Sequence, residues 1–245
     1  MQSAPVSTSS PIRSLISEVV DSLVSIFGDK VSAVYLAGSY AQGNARPESD
    51  VDFYLVLHDE PTAAELHEFS NAQEDLNARW SLSHVYRVDI DLIVLPYTRK
   101  AESIRRRTIV QCTGHLLYGQ PLSGDVTAQF TPGEIAAAFL EWHREYTPTL
   151  AVQDPSPLIR TFTRRALAKY ALRELEWMAV LHGAPISCTT GEFMGHIKQY
   201  IPEFTQDAEM YWNLYQKPYI IDSELELLQS KQASILRQVL RQVGN

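Results

Sequence analysis

Apolar residues along the first thirty positions recur at helical spacing. Ile12, Leu15, Ile16, Val19, Val20, Leu23, Ile26 and Phe27 fall three or four apart, after a Ser10-Pro11 pair that suits an N-cap and a first helical position. Gly28-Asp29-Lys30 then turns the chain into Val31–Ala37, a short apolar run that predicts a strand. Residues after Ser39 predict a short helix that gives way at Gly43-Asn44, and a second strand is expected over Val51–Leu57. Pro61 opens a predicted helix to about Arg79, with Leu66, Phe69, Leu76 and Trp80 as its stripe. A third strand is expected from about Val85 to Leu95, a helix from about Arg99 to Cys112, and an edge strand within Gly114–Gly119. Beyond a linker over Pro121–Thr131 the pattern is helical throughout. Helices are predicted from Pro132, over Leu158–Leu181, Thr190–Tyr200 and Thr205–Tyr215, and from about Ser223 to Val243. The pattern predicts an α+β chain, with a small mixed-sheet α/β domain over residues 1–125 and a helical bundle domain over 126–245.

Two of the strand-like runs carry acids where apolar residues are expected. Asp50 and Asp52 flank the start of the second strand, and Asp89 and Asp91 lie in the third. Side chains alternate along a strand, so each pair shares a face, with its members about 7 Å apart at Cα. Carboxylates among Val, Ile and Leu are costly unless paired or bound to metal, so at least one of the later pair is expected to meet the Asp50/Asp52 face. Magnesium takes one or two carboxylates plus phosphate oxygens, which such a strand start can offer. Gly38 allows a tight turn and close backbone approach, and Ser39 adds a hydroxyl and a backbone N–H suited to phosphate.

Gly38-Ser39, then Asp50-x-Asp52, then an acid on a later strand resembles the nucleotidyltransferase superfamily of the DNA polymerase β type. The fuller wording from Gly38 to Asp52, with the helical second half, resembles its aminoglycoside (streptomycin and spectinomycin) adenylyltransferases. The resemblance implies that Asp50, Asp52 and Asp91 are catalytic and hold two magnesium ions, Asp91 fitting the third acid better than Asp89. It also implies that ATP is the co-substrate and that AMP passes to a hydroxyl of a small acceptor, an aminoglycoside-type antibiotic being the first guess. Ser39 would touch the nucleotide phosphates. Gln42 stands where many members carry arginine, which leaves Arg46 as the nearest cation for phosphate. Lys169 and Arg173, four apart on one helix, are further candidates for the triphosphate. Glu141 and Glu145, beside Trp142 and Tyr146, suit a cationic sugar or amine. The helical domain would then form one wall of a cleft for substrate and nucleotide. Two other readings stand beside this one: an antitoxin-like enzyme that transfers AMP to a protein, and a non-catalytic nucleotide-binding or interaction module.

Charge and composition narrow the partners. The chain of 245 residues has a net charge of −8 and no basic tract longer than Arg105–Arg107, which excludes an electrostatic footprint for duplex nucleic acid. Those three arginines are expected on a solvated helix face. His143 and His196, like His115 and His182, show no ligand spacing and are expected to serve packing or the surface. Cys112 and Cys188 lie in no paired metal-ligand spacing and are expected to be reduced. No apolar run approaches the about 18 residues of a membrane span, and the first residues lack a leader pattern, so a cytoplasmic monomer or homodimer without a membrane partner is expected.

Overall fold

A computed structural model describes residues 10–45, 49–80, 87–96, 100–124, 126–150, 157–187, 190–217, 220, 223, 224, 226–228, 230 and 231. The side chains of residues 144–150, 157–165, 190 and 191 lie outside the description, as does most of the helix expected from Ser223 to Val243. The chain divides into two compact units: Met1–Arg99 with Arg106–Val126, and Lys100–Arg105 with Thr127–Asn245.

The first unit is a four-stranded mixed sheet with helices. Its elements are α1 (Ser10–Phe27), β1 (Val31–Ala37), α2 (Gly38–Ala41), β2 (Val51–Leu57), α3 (Ala63–Trp80), β3 (Val88–Val94), the part of α4 (Ala101–Thr113) from Arg106 onward, and β4 (His115–Gly119). The strand order is β3-β2-β1-β4, with β1 antiparallel to β2 and β4 and with β2 parallel to β3. A parallel pair needs a long crossover, which α3 supplies.

Alternation sorts the side chains onto two faces. Val34 and Leu36 of β1, Phe53, Leu55 and Leu57 of β2, and Val88 and Ile90 of β3 bury against Leu15, Val19, Leu23 and Phe27 of α1 and Phe69 and Leu76 of α3. The opposite face gathers Ala33, Tyr35, Ala37, Tyr54, Val56 and Ile93 with Val110 of α4. Asp52, Asp89 and Asp91 share the parity of this second face. Had they fallen on the first, they would stand in the apolar layer between sheet and α1.

Polar side chains fix where the elements begin. Thr62 and Glu65 form a capping box at α3: the Thr62 amide donates to Glu65 Oε2 at 2.6 Å, and the Glu65 amide to Thr62 Oγ1 at 3.2 Å. A hydrogen bond from Lys30, joined by those from Thr62, holds the Glu65 carboxyl down to about 2. Asn77 does similar work for β3, donating to the Val88 carbonyl at 3.0 Å and accepting from its amide at 2.7 Å. Trp80 Nε1 donates to Glu18 at 2.8 Å and Arg79 pairs with the same carboxylate at 2.6 Å, tying α3 to α1.

The arginines of α4 are not solvated as expected. Arg107 is fully buried and Arg105 nearly so. Arg107 donates to the carbonyls of Ser123 and Gly124, each at 3.2 Å, while Gln111 binds Gly124 and accepts from the Val126 amide at 2.6 Å. The backbone leaving the first unit supplies acceptors that draw these side chains inward, a reason that spacing along α4 does not reveal.

The second unit is helical: α5 (Val126–Gln129), α6 (Pro132–Leu150), α7 (Pro157–Leu181), α8 (Thr190–Tyr200) and α9 (Thr205–Gln216). Val126, the first residue of α5, falls in the first unit. A second capping box, Thr131 with Glu134, starts α6 at 2.8 and 3.2 Å. Phe139 stacks on Trp177 with centroids 3.9 Å apart, and Leu167, Ala171, Leu175 and Met178 bury the core face of α7. No helix among the described residues is long and apolar enough to cross a membrane.

Candidate active site

The turn after β1 and the start of β2 are built against each other. Gly38 has φ +64, in the left-handed region that costs an L side chain about 1–2 kcal/mol. A β-carbon there would stand 3.0 Å from Asp52 Cγ and overlap its Oδ2. Glycine is therefore required twice, by its backbone and by the carboxylate resting on it. Ser39 follows, half-buried in the single turn of α2, whose backbone closes through Gln42 to Gly38 at 3.2 Å and Asn44 to Ser39 at 3.0 Å. Tyr40, which the sequence reading passed over, faces Asp50: burial, and behind it the charge of Asp50, raise its phenol above the usual value. Its position two residues after Gly38 was the available signal.

The strand register places the acids. Asp52 opposes Ala37 on one side and Asp89 on the other, and Asp91 opposes Tyr54. Adjacent strands lie about 4.8 Å apart, so Asp89 is the β3 acid beside Asp52, whereas Asp91 is displaced a further about 6.6 Å along the strand. Asp91 has a cation already: Arg106 Nη2 lies 2.9 Å from its Oδ1. Asp89 pairs more loosely with Arg87, at 3.3 Å, with both side chains about half exposed. Gly38, Ser39, Asp50, Asp52, Asp89 and Asp91 all belong to the first unit. Arg46 lies outside the described residues.

The expected nucleotide and acceptor residues of the second unit stand as follows. Lys169 is exposed on α7, and Arg173 lies with its guanidinium 4.2 Å from the Phe193 ring centroid. Glu141 is exposed on α6; the side chains of Glu145 and Tyr146 lie outside the description. Trp142 packs edge-on to His143 and Tyr170 and carries the guanidinium of Arg105 over its ring at 4.6 Å, so a cation of the chain itself occupies that face. His143 is buried with Nδ1 3.5 Å from Glu174 Oε1, and burial lowers its pKa. Glu176, also buried, accepts from Ser187 Oγ at 2.9 Å and lies 3.3 Å from His196 Nδ1, and burial raises its pKa. Cys112 is a half-buried thiol; Cys188 lies outside the described residues.

Among the described residues, no three His, Cys, Asp or Glu side chains converge closely enough to hold a metal ion alone. The donor set fits magnesium in its more usual form. Carboxylate oxygens are hard ligands, and this ion completes its shell with water and substrate phosphate, so the chemistry of Asp50 and Asp52 is compatible with such a site.

Comparison with known proteins bears on the fold. Residues 22–120 match the family model described as polymerase beta, nucleotidyltransferase. A spectinomycin adenyltransferase from Enterococcus faecialis, solved with ATP and spectinomycin, is similar over 92% of this chain and 99% of that one, at 12% identity and a TM-score of 0.67. A toxin–antitoxin structure with AMP-PNP matches over 56% of this chain and 94% of that one, at 19% identity and a TM-score of 0.29, too low to show a shared fold. No curated protein sequence matches. The chain has the fold of the polymerase β type nucleotidyltransferase superfamily, a mixed-sheet domain followed by a helical bundle, and resembles an aminoglycoside adenylyltransferase.

Proposed function

We propose that this chain is a magnesium-dependent adenylyltransferase that moves AMP from ATP to a hydroxyl of a small acceptor, with aminoglycoside-type antibiotics as the first acceptor class. The observation that carries the reading is the contact between the Gly38 turn and Asp52, on the sheet face that also holds the β3 acids. Fold likeness over nearly the whole chain to a protein solved with ATP and spectinomycin supports the acceptor class.

In this reading Asp50 and Asp52 hold magnesium together with the triphosphate, and Ser39 with the neighbouring backbone amides steadies the phosphates. Magnesium, when bound, makes the α-phosphorus electrophilic and offsets charge on leaving pyrophosphate. A carboxylate of β3 completes the set and takes the acceptor's hydroxyl proton, a role worth roughly 10²–10⁴-fold. Sequence wording favours Asp91 there and the strand register favours Asp89. Arg46, Lys169 and Arg173 are the proposed phosphate cations, and Glu141 and Glu145 the proposed partners for acceptor amines.

Labelled ATP with magnesium and a panel of aminoglycosides tests the proposal, beside Asp52→Asn. Label on a drug, lost in the variant, is the expected result. Label appearing instead on the chain or on lysate protein turns the reading toward a protein-modifying enzyme, and no transfer at all toward a nucleotide-binding module.

A further inference from the structure

β3 stands at the end of the sheet order, beside β2. Successive residues of a strand turn their peptide groups to opposite edges, so alternate residues of β3 bond to β2 and the rest point outward. The Val51 amide donates to the Arg87 carbonyl at 2.8 Å and Asp52 lies opposite Asp89, so Arg87, Asp89 and Asp91 turn their peptide groups toward β2. Val88 therefore presents its N–H and C=O to the outer edge. Asn77, in the last turn of α3, meets both: the Val88 amide donates to Asn77 Oδ1 at 2.7 Å, and Asn77 Nδ2 donates to the Val88 carbonyl at 3.0 Å. A carboxamide carries donor and acceptor side by side as a peptide does, so this side chain stands in for one residue of a further strand. A second bond from Nδ2, to the Gln73 carbonyl at 3.0 Å, ties it to its own helix.

We infer that Asn77 is a positioning residue for the carboxylates of β3: its paired bonds to Val88 admit the strand in one phase only, the phase that turns Asp89 and Asp91 to the Asp52 face. This rests on the proposed nucleotidyl-transfer reading. A slip of one residue would bring the peptide groups of Arg87 or Asp89 to Asn77, take them off β2, and turn every β3 side chain to the other face. Val88, fully buried in the apolar layer with α1 and α3, would then change places with an acid. Apolar burial resists that slip along the whole strand, whereas Asn77 acts at one point, a single residue from Asp89. Its loss leaves the strand formed and its acid-bearing end loose.

The test is nuclear magnetic resonance of the full chain, by amide hydrogen exchange and by the signal broadening that manganese causes when added with a non-hydrolysable ATP analogue. Wild type is compared with Asn77→Ala, Asn77→Asp and Thr62→Ala, each first shown to be folded by circular dichroism. Alanine is a better helix former than asparagine, so α3 persists in Asn77→Ala and the loss falls on the clip. There the Val88 amide is expected to exchange ~10-fold faster, the equivalent of one net hydrogen bond. Manganese broadening at the Asp52 amide is expected to persist while that at Asp89 and Asp91 weakens. Asn77→Asp keeps an acceptor for the Val88 amide but has no donor for its carbonyl at neutral pH; Val88 exchange should stay near wild type while the β3 broadening weakens, which carries the test if Asn77→Ala does not fold. Thr62→Ala loosens the other end of α3 and is expected to leave both β3 readouts unchanged, which separates positioning from a general loss of stability. Unchanged Val88 exchange in Asn77→Ala, β3 broadening that keeps its wild-type ratio to that of Asp52 in both Asn77 variants, or equal weakening in Thr62→Ala overturns the inference. Wild type that binds the analogue without manganese broadening at Asp52 would instead remove the nucleotidyl-transfer reading beneath it.

Discussion

Gly38→Ala is the sharpest small perturbation the structure offers. The new methyl carbon would stand 3.0 Å from Asp52 Cγ and overlap Oδ2, closer than any relaxed contact, on a backbone at φ +64. The left-handed conformation alone costs about 1–2 kcal/mol for an L residue. The carboxylate must also rotate or the turn withdraw, and local strain of this kind is worth about 1–3 kcal/mol per position. Urea denaturation should therefore show a loss of about 2–5 kcal/mol with an unchanged slope. Function should suffer more than stability, because a displacement of about 1 Å at reacting groups can cost roughly 10²-fold in rate. Calorimetry of a non-hydrolysable ATP analogue with and without magnesium gives a readout independent of the acceptor: the variant should lose most of the magnesium-dependent part. Gly28→Ala, also at positive φ but with open space around it, is the control and should lose stability only. Unchanged magnesium-dependent binding in Gly38→Ala would refute the claim that the turn and Asp52 form one seat.

Three further outcomes are expected. Thr62→Ala removes the oxygen that accepts from the Glu65 amide and should lower stability by about 1 kcal/mol in chemical denaturation; an unchanged midpoint would show that α3 starts without its box. Arg107→Met removes the fully buried guanidinium that donates to the Ser123 and Gly124 carbonyls and should cost about 1–3 kcal/mol, with faster proteolysis near residue 124. Glu176 has its folded pKa raised by burial, so the native state binds the proton more readily than the unfolded chain, and its ionisation destabilises the fold as pH rises above the unfolded value near 4.5. Glu176→Gln should thus raise the melting temperature at pH 7, and the gain should shrink toward pH 4; a gain independent of pH would contradict this.

Much of the fold could be read from periodicity. The strands Val31–Ala37 and Val51–Leu57 stand where alternation between turn residues put them, and α8 spans Thr190–Tyr200 as expected. The α3 start was misplaced from Pro61 to Ala63 because its cap is reciprocal, Thr62 with Glu65, and neither residue is apolar. Parity along a strand predicted that Asp89 and Asp91 would share a face, but not which would stand beside Asp52. Register is a property of two strands and of the crossover between them, so it has no signature within either run. Arg105–Arg107 misled for a related reason: their acceptors are a backbone segment and a tryptophan far along the chain, and a local pattern of charge reads as solvated until such partners are known. The Trp142 face, expected to be open to a cationic ligand, is covered by Arg105 by the same route.

The most direct measurement is the anomalous scattering of manganese in crystals grown with a non-hydrolysable ATP analogue. The account predicts density within coordination distance of Asp50 and Asp52, with the triphosphate bridging that ion and the turn at Gly38-Ser39. Manganese and nucleotide bound away from this face of β2, or no manganese at a site that holds the nucleotide, would contradict it.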